Sequence, residues 1–322
     1  VLRNRQDAEG AFLRKTLGDG FFPTSSGYMA CITAGGINLE HGRRPEVALE
    51  TFRKLPKSQR LPGVVKVGRL DPVDAKVAPP LPPSGGIILK VYARLMRRKA
   101  DGSLDYVSTA DFPLMAGYDQ RRIDRNGYLF EASADHVWIT DDEWRSLVSD
   151  GLKPGQRVDV PDAVTRRICR FHLVPQRIYG EGGEWHPKSV RSAALTLTVQ
   201  SATAEDICFR IDGHARLGSA YDASTATTPN GKLKRGYAST FHGRATYDLA
   251  TRRFTRVEMI SLGDTWGRMG DANRKSVAVE RPGRHPLVFA FELVSGERPV
   301  DCLVPMGRVR KLAGFRYLQT ER

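Results

Sequence analysis

The sequence predicts an α+β protein: a small α/β unit over residues 1–60, a connector over 61–86, and a β-rich domain over 87–322 built as an antiparallel sandwich or open barrel with two short helices. Three observations predict this. Apolar runs around a Gly-Gly turn precede a helical stripe in the first sixty residues. A Pro- and Gly-rich stretch follows, and beyond it apolar and polar residues alternate with period two in segment after segment.

In the first unit, Tyr28-Met29-Ala30-Cys31-Ile32-Thr33 reads as a strand, Ala34-Gly35-Gly36 as a turn, and Ile37-Asn38-Leu39-Glu40 as the returning strand. Pro45 suits a first helical turn, and Val47, Leu49, Phe52 and Leu55 supply the apolar stripe of a helix over 45–55. Pro72, Pro79, Pro80, Pro82 and Pro83 before Gly85-Gly86 favour extended, semi-rigid backbone, so the domain boundary is expected there.

Ile87 to Arg94 is a strong strand, followed by a turn at Asp101-Gly102. Thr140 and Glu143 form a capping box ahead of Trp144 and Leu147, which predicts a helix start. Trp138 and Trp144 beside it read as core anchors. Pro161 and Asp162 open a second helix, expected to end at Ile168 and run straight into a strand, Arg170-Phe171-His172-Leu173-Val174. Leu195, Leu197 and Val199, then Ile207, Phe209 and Ile211, alternate with polar residues. Residues 237–247 and 253–262 predict a hairpin, 286–293 a further strand, and 219–234 a protruding loop.

The order strand, Gly-Gly turn, strand, helix resembles the C-terminal half of a thioredoxin-like domain over residues 20–56. The redox C-x-x-C and the first half of that fold have no counterpart, so no thiol chemistry is implied. Pro82-Pro83-Ser84-Gly85-Gly86, Arg170-Phe171-His172-Leu173, Leu262-Gly263-Asp264-Thr265-Trp266-Gly267 and Phe289-Ala290-Phe291-Glu292-Leu293 resemble a family of uncharacterised bacterial proteins with a β-rich region. That resemblance implies an architecture and no mechanism.

With 40% hydrophobic and 27% charged residues the chain has the composition of a folded protein. Its longest apolar runs are too short to span a bilayer, and a soluble protein is expected. Val1 to Asp7 show no apolar leader, as expected of a processed export product or of a chain that starts mid-protein. The second reading is preferred because half of the thioredoxin-like pattern is absent, and an extracytoplasmic location is favoured over a cytoplasmic one. Lys and Arg number 50 against 36 Asp and Glu, a net charge of +14, which admits a polyanion or nucleic-acid partner. Arg43, Arg44, Arg53, Lys54, Lys57 and Arg60 collect near one helix, but the remaining basic residues are scattered and no nucleic-acid motif accompanies them. Cys31, Cys169, Cys208 and Cys302 are far apart and form no C-x-x-C; two disulfides are possible, and buried free thiols are the simpler reading for Cys31 and Cys208.

No phosphate-binding Gly loop, G-x-S-x-G or H-E-x-x-H occurs, so the chemistry must be sought in dispersed residues. His172, His186 and His242, converging with Asp264 or Glu292, could hold a transition metal such as zinc or copper. Asp264 and Trp266 at a strand end, with Arg170, are candidates for binding a small molecule or glycan. Asp264 and Glu292 are candidate carboxylates for a hydrolase acting on carbohydrate, and Arg170 could instead pair with Glu292 inside the sheet. The leading expectation is a ligand- or metal-binding module of an exported bacterial protein without catalytic function. A carbohydrate hydrolase and a polyanion-binding protein are the alternatives.

Overall fold

The computed structural model describes residues 29–42, 45–61, 81–107, 132–174, 184–223, 235–267, 283–305 and 317–318. The chain divides into two compact units, Val1–Ala78 and Pro79–Arg322. Among the described residues no helix is long and apolar enough to cross a membrane.

In the first unit, β1 (Met29–Ile32) pairs antiparallel with β2 (Asn38–Gly42). The turn closes because Thr33 accepts from the Gly36 amide at 2.9 Å and its own amide donates to Ile37 at 2.9 Å, with Gly36 at φ 84°. That left-handed backbone is where glycine costs least. Helix α1 (Pro45–Lys54) follows with Glu46 in its first turn and Arg53 and Lys54 in its last, the charge order that complements the helix dipole. A short helix α2 (Lys57–Arg60) ends the described part of this unit.

Among the described residues, the second unit is built on one sheet of nine strands. These are β3 (Ile87–Arg98), β4 (Leu104–Tyr106), β5 (Ser133–Ile139), β6 (Arg157–Asp159), β7 (Val190–Ala202), β8 (Asp206–Gly218), β9 (Gly236–Asp248), β10 (Arg253–Trp266) and β11 (His285–Val294). They pair antiparallel in the order β4-β3-β11-β10-β9-β8-β7-β6, and β5 shares the β3 edge with β4. The expected hairpin is β9–β10, and the expected pair of helices is α3 (Asp141–Arg145) and α4 (Asp162–Phe171).

The described strands of this unit form one sheet, and it curls. Ile87 and Leu89 on β3 line the same small internal cavity, about 60 Å³, as Leu195 and Leu197 on β7. In a flat sheet those strands, five steps apart, would lie roughly 24 Å from one another. Helix residues Val164 and Ile168 fill the space between. Alternation makes this possible. Ile207, Phe209, Ile211, Ala215 and Leu217 of β8 are buried, while Arg210, His214 and Arg216 between them are exposed. The inward rings of Phe209, Phe241 and Phe289 are buried to 1% exposure or less. Each such burial is worth about 1.5–3 kcal/mol.

Glycine sets the curvature. On neighbouring strands, a Cβ at Gly213, Gly243 or Gly263 would lie 2.3 Å from the Ala194 carbonyl oxygen, 2.3 Å from that of Glu258 and 2.0 Å from that of Ala238. No side chain fits there, and the adjacent backbones close in where an ordinary residue would hold them apart.

The strand expected over 170–174 is a second correction. Helix α4 continues through Arg170 to Phe171, and His172 caps it with its amide on the Ile168 carbonyl. Val164, Thr165, Ile168 and Phe171 are buried, a spacing of 3.6 residues that a strand could not turn to one side. Gly85 and Gly86 also leave the connector and join the domain: the Trp144 indole N–H donates to the Gly85 carbonyl at 2.9 Å, and a Cβ on Gly86 would meet the Ile139 oxygen at 2.5 Å. Trp138 and Trp144 are core residues, 3% and 1% exposed. The four cysteines are free thiols; Cys169 is fully buried, whereas Cys31 and Cys208 are only half-buried. Of the loop expected over 219–234, residues 224–234 lie outside the described residues.

Candidate functional site

The three histidines expected to share a metal do not meet. His172 is at the C-terminus of α4, 1% exposed. Its Nδ1 lies 2.6 Å from the Asp135 carboxylate and its Nε2 2.6 Å from the Tyr317 hydroxyl. With an ionised Asp135, Nδ1–H donates and Nε2 accepts from Tyr317, so neither ring nitrogen is left for a metal. His186 is exposed and caps a 3-10 turn, Pro187–Ser189, accepting from the Lys188 amide at 3.2 Å. His242 stands on the outer face of β9, 3.6 Å from Asp212, its side chain 70% exposed. Among the described residues no three His, Cys, Asp or Glu side chains converge as metal ligands.

The carboxylates expected to act together are far apart. Asp264 on β10 pairs with Pro286 of β11, and Glu292 is six residues further along that strand, opposite Glu258. Six strand residues span roughly 20 Å. Carboxyl pairs in glycoside hydrolases are about 5–9.5 Å apart, so these two cannot divide acid and base roles on one bond. Glu292 accepts from the Tyr92 hydroxyl at 2.9 Å on the outer face. Arg170 does not reach it; its Nε donates to the Trp185 carbonyl at 3.0 Å and its guanidinium lies over Phe171. Trp266 is 5% exposed and its indole N–H is engaged by the Ser219 carbonyl at 3.1 Å, so it offers no open ring to a sugar. Of the residues picked out together, Asp264 and Trp266 do share one end of the sheet.

Around His172 the fold assembles a buried polar junction whose members no local motif connects. The Tyr317 hydroxyl also accepts from the Trp138 amide at 3.3 Å, and its ring packs edge-on to Trp138 and against Phe171. The Arg167 guanidinium lies near the Tyr317 ring and pairs with Glu143 at 2.5 Å, which in turn receives the Thr140 amide in the capping box. Burial raises the Glu143 pKa, but the Arg167 and Thr140 hydrogen bonds outweigh it and hold the carboxyl below its ordinary range. His172, Asp135, Arg167 and Tyr317 are buried, with Glu143 17% exposed at the margin, and the junction fastens β5, α3 and α4 together.

The open space lies at the end of the sheet where β3 and β10 begin and β11 ends. A pocket of about 500 Å³ is bounded by Gly85, Trp144, Arg253, Thr255, Leu293 and Cys302. The local sequence explains its walls. The Gly85–Gly86 turn is held by Trp144, and the Cys302 thiol donates to the Gly296 carbonyl at 3.0 Å. Asp248 accepts from the amide and hydroxyl of Thr251 at 2.6 Å, shaping the β9–β10 turn in which Arg252 takes φ 53°. Those two bonds lower the Asp248 pKa. A second pocket of about 410 Å³ lies on the other side of Trp144, with Arg145, Asp150, Thr203 and Arg252 on its wall. The only signal for this region in the sequence was the glycine pair and the capped Trp144 helix, both of which read as structural. No protein-family model matches the chain, and no curated protein sequence is significantly similar to it.

Proposed function

We propose that the second unit is a non-catalytic module that binds a small amphipathic molecule in the pocket beside Trp144. The observation that supports this is the pocket itself: its volume of about 500 Å³ falls within the 300–1,000 Å³ of small-ligand sites. Its lining combines apolar surface from Ile88, Leu293 and Val294 with a few polar groups. Arg253 is exposed and supplies the one positive side chain among the described residues of this wall, so an organic acid with an apolar body is the ligand class that suits it. The walls are turns and strand ends pinned by the Trp144 and Cys302 hydrogen bonds, which keeps the ordering cost of binding small.

The test is ligand-detected NMR with a series of small carboxylic acids, from butyrate to indole-3-acetate. Thr255 is exposed on β10, so Thr255→Trp should fill the pocket without unfolding the sheet, and Arg253→Ala should remove the counter-charge. Binding is expected to disappear in the first variant and weaken about tenfold in the second. Binding that is unchanged in both would place the ligand elsewhere and end this reading.

A further inference from the structure

At the opposite end of the sheet, roughly 35 Å along β10 from the pocket, two arginines share one carboxylate. Arg98 Nη2 lies 3.0 Å from Asp264 Oδ1, and Arg284 Nη2 lies 3.1 Å from Asp264 Oδ2. The Asp264 side chain is 19% exposed, while those of Arg98 and Arg284 are 54% and 48% exposed. Each guanidinium gives one nitrogen to Asp264, and both side chains stay about half exposed. Two like charges so close repel one another, and the half-buried carboxylate between them offsets that repulsion and fixes their spacing. The Arg284 guanidinium is further confined by the rings of Tyr221 and Trp266, each 5.7 Å from its centre. Asp264 and Trp266 thus set the position of Arg284.

From this geometry we infer that Arg98 and Arg284 form a binding site for a phosphate oxyanion, with Asp264 as a positioning residue. Guanidinium forks match phosphate oxygens two by two, and a pair held in place gives up little side-chain freedom on binding. The cluster keeps a net positive charge, two arginines against one carboxylate. The site is independent of the pocket beside Trp144.

Inorganic pyrophosphate is the probe, titrated into the whole chain and followed by calorimetry at low salt, with a short single-stranded oligonucleotide as a second arm. Pyrophosphate is expected to bind, and Arg98→Ala and Arg284→Ala are each expected to weaken it about tenfold. Arg97→Ala removes the same charge from the same strand, where Arg97 pairs with Asp105 at 2.8 Å, and is expected to change affinity less than twofold. If Arg97→Ala costs as much as Arg284→Ala, the attraction is diffuse and the site does not exist. Asp264→Asn separates positioning from charge: weaker binding supports the clamp, whereas tighter binding from the added net charge overturns it. Displacement of the oligonucleotide by pyrophosphate would identify phosphodiester backbone as a source of the ligand. An oligonucleotide that fails to bind would restrict the site to small phosphates. Failure of pyrophosphate to bind at all would sink the inference and leave the Trp144 pocket untouched.

Discussion

Two histidine–aspartate pairs in this domain use the same chemistry and do opposite things. His172 and Asp135 lie 2.6 Å apart with side chains 0% and 3% exposed. His242 and Asp212 lie 3.6 Å apart at 70% and 41% exposure, on the outer face of the sheet, where Asp212 is already held by Arg210 at 2.6 Å. In water the second pair exchanges one set of hydrogen bonds for another and gains almost nothing. In the core the first pair is shut off from water, so solvent does not make good a lost 2.6 Å contact. Burial, not residue type, decides what a histidine is for. The rest of the domain divides along the same line, with the Arg167–Glu143 pair inside and the Arg244–Glu258–Arg256 cluster outside.

The largest expected effect breaks the comparison directly. His172→Ala should lose about 3–5 kcal/mol of stability in urea unfolding, because the buried Asp135 carboxylate loses the imidazole 2.6 Å away. His242→Ala should lose less than about 0.5 kcal/mol. Equal losses would mean that the junction is not enclosed as described. Next comes the curvature: Gly263→Ala should cost about 2 kcal/mol, since a methyl must push back the Ala238 carbonyl. A wild-type melting curve for that variant would show that the sheet can flatten without loss.

The inner ion pair also predicts a pH dependence. The Glu143 carboxyl is held below its ordinary range, so its contribution is fully present above the unfolded-state pKa and is lost as the pH falls through the lower folded-state value. Urea midpoints measured from pH 7 to pH 3 should fall less steeply in Glu143→Gln than in the parent protein. Identical slopes would assign acid sensitivity to other carboxylates. The smallest effect is expected outside. Glu258→Ala, which frees Arg244 and Arg256, should lower the urea midpoint only slightly, and that difference should vanish in 1 M salt.

Much of the fold was legible before any coordinates. The strands around Leu195–Val199 and Ile207–Ile211, the β9–β10 hairpin and the capping box at Thr140 each depend on neighbours a few residues away, and local pattern reports those faithfully. The end of α4 was misread because Arg170 and His172 flank apolar Phe171 and Leu173, an alternation that fits a strand as well as the last turn of a helix. What distinguishes them is Val164, Thr165, Ile168 and Phe171 turning together onto the sheet.

The site was less legible, for a reason that distance along the chain makes plain. His172 is 37 residues from Asp135 and 145 from Tyr317, and Arg98 is 166 from Asp264. The sequence singled out His172 within an expected strand, and Asp264 and Trp266 at a strand end, but it assigned His172 and Asp264 partners that the fold does not bring near.

The excess of positive charge shows the same division. The number +14 is a property of composition, yet on the sheet surface several arginines are answered by Asp or Glu, along one strand at Arg210–Asp212 and Arg256–Glu258 and across strands at Arg244–Glu258, and most of the excess falls outside the described residues. By itself the sequence determined the α+β class, the alternation that gives each strand an inner and an outer face, and the two helices beside the sheet. Only the tertiary structure decided that one sheet curls where two could have stacked. It also decided that His172 is sealed, and that Arg98 and Arg284 meet at Asp264. Local periodicity is encoded over a few residues, whereas register and curvature are set by which distant backbones can approach, as at Gly213, Gly243 and Gly263.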